Sequence, residues 1–210
     1  MEESIEKNSL FSKIGFLIKE NIKLIIIFIA LILLIIAGYE YYKFYKQNKI
    51  KKISINYFNA VDDIFLNENK SIDSLARISE QNNGYAIMSS IKLAKLYLSN
   101  NEYENAYNQY QYTIDNLELE QIYKDLLILN ASYNLIGHIK SENIDKLIKN
   151  TEIDKSPFKG HFYEIKYINS LNVLNKVELN NLNELIQNDI EIMNNVKERI
   201  KKLNDYIEYN

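Results

Sequence analysis

Residues 91–114 read IKLAKLYLSNNEYENAYNQYQYTI. The stretch has no cysteine and no histidine, but it carries a ladder of small and aromatic side chains: Leu93, Ala94 and Tyr97, then Ala106 and Tyr110. Positions three and four apart share one face of a helix, so the ladder marks the facing sides of two helices joined by the polar turn "SNNE". Two antiparallel helices approach most closely where side chains are smallest. That places Ala94 and Ala106 at the crossing, with Tyr97 and Tyr110 filling the spaces beside it. Asn101, with Glu104 three residues on, reads as a capping-box variant opening the second helix.

The remainder of the sequence agrees with helices. It has one proline and five glycines in 210 residues, too few for the turns that sheets require. Ile50, Ile53, Tyr57, Val61 and Ile64 follow helical spacing, as do Ile72, Leu75, Ala76 and Ile78 behind a Ser71 cap. The motif "QNNG", ending at Gly84, is a stop signal before Ile87, Ile91, Ala94 and Leu98. A third stripe runs Ile122, Leu126, Leu129, Tyr133, Ile136, and Ser141 is placed to cap Ile144, Leu147 and Ile148. Ser156-Pro157 reads as the start of a helix through Phe158, Phe162, Ile165 and Ile168. Leu182, Leu185 and Ile186 mark the next, and Met193, Val196, Ile200, Leu203 and Ile207 the last.

Residues 24–39, LIIIFIALILLIIAGY, contain no charged side chain. At ~1.5 Å per residue they cover roughly 24 Å of a ~30 Å hydrocarbon core. Ile22 at one end and Tyr41 and Tyr42 at the other complete the span. Lys19 and Lys23 are placed to snorkel, and Tyr39, Tyr41, Tyr42 and Tyr45 to form an interfacial belt. A buried core helix would show polar interruptions, and Ile36-Ala37-Gly38 lacks the small residue a signal-peptide cleavage site needs at its first position. The expectation is an uncleaved transmembrane helix over residues 22–42, after a cytoplasmic tail of 1–21 and before an amphipathic stalk of 43–66. Ser9 to Glu20 fits either an amphipathic surface helix or a plain flanking tail.

Charge is divided unevenly. Residues 1–52 carry nine Lys against five Glu, while 53–210 carry sixteen Lys and Arg against twenty-three Asp and Glu. The acidic larger part argues against nucleic acid, and the basic part beside the apolar run suits anionic lipid. Lysines flank the run almost equally: Lys7, Lys13, Lys19 and Lys23 before it, and Lys43, Lys46, Lys49, Lys51 and Lys52 after. Charge alone therefore leaves the topology tied.

Little here proposes catalysis or a cofactor. Without cysteine there is no disulfide or thiolate metal site. His138 and His161 are the only histidines, and neither has a second histidine at helical spacing. Asp62 and Asp63 are adjacent and diverge on a helix; Glu102 and Glu104 read as helix N-terminal charges. No phosphate-binding glycine loop or nucleophile elbow occurs.

Leu-Ala-x-x-Tyr, an alanine twelve residues after the first and an aromatic four later follow the logic of the tetratricopeptide repeat. Ser90 stands where that repeat has tryptophan, Asn101 where it has the turn glycine, and Thr113 where it has a later alanine. Residues 129–150 repeat the plan loosely, with Tyr133 about 36 residues after Tyr97. The expected fold is all-α: an N-terminal transmembrane helix followed by a tetratricopeptide-like helical-hairpin solenoid over 71–208. The first helix of each hairpin would line a groove, so Lys92, Lys95 and Ser99 are candidate partner-binding residues. The same three also fit a merely solvated helix face.

The order of parts is that of a known family. GFLIKENIKLIIIFIALILLIIAGYEYYKFYKQ, then NNGYAIMSSIKLAKLYLSNNEYENAYNQY, then SPFKGHFYEIKYINSLNVLNKVELNNLNELI resembles the YfgM-like family of membrane-anchored tetratricopeptide-like proteins, ancillary to the bacterial SecYEG translocon. The resemblance runs over nearly the whole sequence after Gly15. It implies a single-pass inner-membrane protein with its helical domain in the periplasm, a cytoplasmic N-terminus, no cofactor, and a scaffold role toward translocon subunits, periplasmic chaperones or exported proteins. A scaffold for envelope assembly or cell division shares every sequence feature above.

Overall fold

A computed structural model describes residues 21–81, 83–149 and 151–209. Among these residues there are nine α-helices and no strand. The tail expected over 1–21, with the surface helix read over 9–20, lies outside the described residues apart from Asn21. The protein divides into two compact units, Met1–Ile53 and Ser54–Asn210.

The first unit is dominated by α1 (Ile22–Asp62), a continuous helix of 41 residues that runs on into the second unit. Its apolar side chains are not covered by the rest of the protein: Phe28, Leu34 and Tyr41 are all exposed. One helix is thus long and apolar enough to cross a membrane, with a most apolar window of mean hydropathy 2.9.

In the second unit, Tyr57 on the end of α1 is buried, as its helical spacing predicts, and Ala60 is buried where the spacing named Val61, which is half-buried. A 3-10 turn, Asp63–Phe65, leads to α2 (Glu68–Ser79). The cap of α2 is Asn67 rather than Ser71: the Asn67 carboxamide oxygen accepts from Lys70 N at 3.1 Å. Asparagine caps as well as serine does, and the earlier start leaves Ser71 buried inside the helix. Asn83 caps α3 (Gly84–Ser99) by accepting from the backbone N–H groups of Tyr85 and Ala86.

Next come α4 (Tyr103–Asn116), α5 (Gln121–Leu135) and the shorter α6 (Ser141–Ile148). Ala94, Ala106 and Tyr110 are buried in one core, with Tyr97 packed at its edge, and Leu93 is buried as well. Asn101 does not open α4. It ends α3 with φ +60, where Glu102 N donates to Tyr97 O (2.8 Å) and Asn101 N to Leu98 O (3.1 Å). This is a Schellman closure, which needs a left-handed residue and so favours glycine, or failing that asparagine. Ser90 and Thr113 depart from the repeat pattern together. Gln109 Nε2 donates to Ser90 Oγ at 2.9 Å, while Thr113 Oγ1 donates to Gln109 O, so a small polar tie stands where the pattern has tryptophan and alanine.

The second hairpin repeats the first with a different register from the one the sequence suggests. Buried or core-packed positions pair as Ser90 with Ile128, Leu93 with Ala131, Ala94 with Ser132, Tyr97 with Leu135, Ala106 with Ile144 and Tyr110 with Ile148. Leu135, not Tyr133, is the counterpart of Tyr97. Of the predicted stripe, Leu129 is buried and Ile136 packs against the core, while Ile122, Leu126 and Tyr133 are solvent-exposed, because α5 carries apolar residues on more than one face and buries the neighbouring one.

No side-chain cap forms at Ser141, which is the first residue of α6, and Phe158, which immediately precedes α7 (Lys159–Asn172), offers none of its own. Ser156 is buried and does both: its Oγ accepts from Phe158 N at 3.3 Å, the capping contact expected from the sequence, and donates to Asp125 Oδ2 at 2.5 Å, while the regular turns of α7 begin three residues later. α7 lies between two cores. Phe162 and Ile165 join the first, while Tyr163 and Tyr167 join the second with α8 (Lys176–Asn188) and α9 (Asn194–Tyr209). In that second core Leu179, Leu182, Ile186, Val196 and Ile200 are buried, whereas Leu185 and Met193 are exposed. A Cβ on Gly160 would meet the Ile192 side chain at 3.0 Å, so this glycine permits the close approach of α7 to the segment before α9.

A candidate protein-interaction groove

Short connections reverse the direction of the backbone between α3 and α4 and again between α4 and α5. The first helices of the two hairpins therefore run the same way, both packed on α4. Between them lies a groove of about 400 Å³. Gly84, Ile87, Ile91 and Lys95 line it from α3; Tyr123, Leu126, Leu127 and Asn130 line it from α5, and Leu119 from the connection before it. The α3 residues are three or four apart and so form one face of that helix. Of the stripe that sequence periodicity assigned to the core, Leu126 lines this groove.

The groove leaves large apolar groups in water. Tyr123 is 58% exposed, Leu126 44%, and neighbouring Ile122 47%. Scattered exposed leucines are ordinary, but a contiguous set lining a concavity marks a binding surface.

The three predicted partner-binding residues do not converge here. Lys95 is exposed and lines the groove. Lys92 is half-buried on another part of α3, and Ser99 donates its hydroxyl back to Leu96 O at 2.7 Å. Sequence reasoning missed Tyr123, Leu126 and Asn130. The only available signal was that α5 has more apolar residues than one core-facing stripe can use.

The most developed polar cluster lies elsewhere. Arg199 of α9 donates from Nε and Nη2 to the two carboxylate oxygens of Glu164, each at 2.6 Å. Tyr133 donates its hydroxyl to Glu164 Oε2 at 2.7 Å and lies 3.1 Å from His161 Nδ1. Burial pushes the Glu164 carboxyl up, but the hydrogen bonds from Arg199 and Tyr133 and the guanidinium charge outweigh it, so its pKa lies below the ordinary value. These partners saturate the carboxylate from within the protein and tie α5, α7 and α9 together. His138 is exposed and stacks on Tyr103, ring centroids 4.1 Å apart. Among the described residues no three His, Asp or Glu side chains are grouped to hold a metal ion.

A profile of the tetratricopeptide repeat-like domain matches residues 17–130, taking in the apolar helix, the α3–α4 hairpin and the whole groove-lining set. The chain belongs to this family. No curated protein and no solved structure matches it. Tetratricopeptide repeat-like domains are protein-interaction modules. The repeat-like domain accordingly has proteins as its general class of partner.

Proposed function

We propose that this protein is a single-pass, membrane-anchored scaffold that binds other proteins and performs no catalysis. In this reading residues 22–42 cross a bacterial inner membrane, 43–66 link the span to the domain, and the domain over 71–208 faces the periplasm. There it serves as an ancillary subunit joining the SecYEG translocon to periplasmic chaperones and exported proteins. The observation that carries the binding role is the groove between α3 and α5, whose apolar wall is open to solvent in a repeat-like domain. The apolar helix supports anchoring, and the order of anchor, degenerate repeats and Ser-Pro-Phe segment supports the translocon.

The test is photo-crosslinking in native membranes from a photoreactive residue at Leu126. Translocon subunits or exported proteins in the products support the proposal. Recovery of cell-wall or division proteins alone would replace it with an envelope-assembly scaffold. For topology, a reporter fused after Asn210 should be active only as a periplasmic enzyme.

A further inference from the structure

We propose that a polar cavity between α6, α7 and the start of α8 binds a free diamino acid of the size of lysine. The cavity lies outside the matched residues 17–130 and shares no residue with the α3–α5 groove, so it stands independently of the scaffold role. Its volume is about 640 Å³, within the range that holds a small molecule.

Asn169 lines the cavity and is only 4% exposed. Its carboxamide nitrogen donates to Ser141 O at 3.1 Å and to Asp145 Oδ1 at 2.9 Å. Both N–H groups are thereby used, which fixes the orientation of the amide. The oxygen is left buried, with no hydrogen-bond partner among the described residues. A buried acceptor beside a carboxylate calls for a charged donor, and an ammonium group supplies one.

Charge is sorted along the cavity on either side of Asn169. That residue, late in α7, meets the start of α6, whereas Asp154, soon after α6, receives the Tyr163 hydroxyl at 2.8 Å near the start of α7. The two helices are therefore antiparallel. Lys166, one turn before Asn169, and Lys149, just past α6, stand at one end of the cavity. Thr151 lines that end too, and its Oγ1 is buried without a hydrogen-bond partner among the described residues. Glu142, in the first turn of α6, and Glu178 of α8 stand at the other end. Asn175 Nδ2 holds Glu178 Oε2 at 2.9 Å. Lys149, Lys166 and Glu142 make no side-chain ion pair or hydrogen bond among the described residues. Lys146, next to Asp145, is exposed and can turn its charge into water.

A matching ligand places a carboxylate at the lysine end, an ammonium at Asn169 Oδ1 and Asp145, and a second ammonium toward Glu142 and Glu178. Lysine carries its carboxylate, α-ammonium and side-chain ammonium in that order. Its extended four-carbon side chain spans about one helical turn, ~5.4 Å, the scale on which these groups are spaced.

Equilibrium dialysis of radiolabelled L-lysine against the full-length protein in lipid nanodiscs tests this. Norleucine, which lacks the side-chain ammonium, and cadaverine, which lacks the carboxylate, serve as competitors. Saturable lysine binding, with each competitor weaker by roughly two- to fivefold, supports the proposal, as one exposed ion pair warrants. Lys166→Gln should weaken lysine by a similar factor and leave cadaverine unchanged. Glu178→Gln should weaken lysine and leave norleucine unchanged. Neither side chain is in a core, and circular dichroism checks that both variants keep their helices. Norleucine or cadaverine competing as well as lysine itself would overturn the diamino acid assignment. No saturable binding, or lysine binding untouched by both substitutions, would overturn the site.

Discussion

Two residues end helices in the left-handed region, and their chemistry differs. Asn101 adopts φ +60 and Leu174 φ +54, each closing a Schellman motif; at the latter, Asn175 N donates to Ser170 O and Leu174 N to Leu171 O. Asparagine tolerates this conformation, whereas leucine suffers a Cβ clash of ~1–2 kcal/mol. Leu174 is also 74% exposed, so little packing offsets the strain. Leu174→Gly should raise stability by about 0.5–1 kcal/mol, part of the gain being lost to the freer unfolded state. Urea midpoints of the full-length protein in detergent would read the shift, and a fall would show that the leucine side group matters more than its backbone. At Glu164 the prediction concerns pH. Its folded pKa lies below the ordinary value, so its contribution is present above the unfolded pKa and is lost as pH falls through the folded one. Glu164→Gln should therefore flatten the acid limb of the stability profile below about pH 4.5. Arg199→Met should lower stability at neutral pH by about 1–3 kcal/mol, discounted because the Arg199 side chain is 44% exposed. An unchanged acid limb in Glu164→Gln would assign the pH dependence to other carboxylates.

Among the elements, α3 and α4 are the most legible in sequence. Leu93, Ala94, Ala106 and Tyr110 are buried as their spacing predicts, because the two helices are brought face to face by a short turn. Ala106→Leu forces extra carbons into a closed crossing and should cost roughly 1–3 kcal/mol, while Lys95→Ala, on the open groove, should leave the urea midpoint nearly unchanged. Equal midpoints would mean that the ladder is not a packing contact. The start of α7 does more than its sequence signal says, and the difference can be measured. Ser156 accepts from Phe158 N as its cap-like sequence suggests, and its hydroxyl also reaches Asp125, which is buried and receives Gln121 Nε2 at 2.7 Å. Losing one donor to a buried carboxylate should cost about 1–3 kcal/mol. In a double-mutant cycle the cost of Ser156→Ala should largely vanish on an Asp125→Ala background; a cost that persisted would show that the contact with Phe158 N carries more of it.

For the whole molecule, the sharpest prediction concerns α1. Its apolar stretch is uncovered by the rest of the protein, so its burial must come from lipid if the scaffold is anchored. Ile27→Lys with Leu33→Lys places two charges in the span at ~2.5–3.5 kcal/mol each. The variant should leave the membrane fraction on an alkaline wash that the unaltered protein resists; equal retention would remove the anchor. The sequence by itself determined that apolar helix, the all-helical class and the ladder that pairs α3 with α4. Each is encoded within a few helical turns, where composition and a period of 3.6 are enough. The tertiary structure alone decided which face of α5 is buried, where Ser156 points, and that Glu164 meets Arg199 across 35 residues. It also decided that Lys95 and Asn130 finish one groove while Lys92 and Ser99 stand apart from it. A helix apolar on several sides has no preferred face until its neighbours cover one, and a lone charge has no partner until distant helices are packed together.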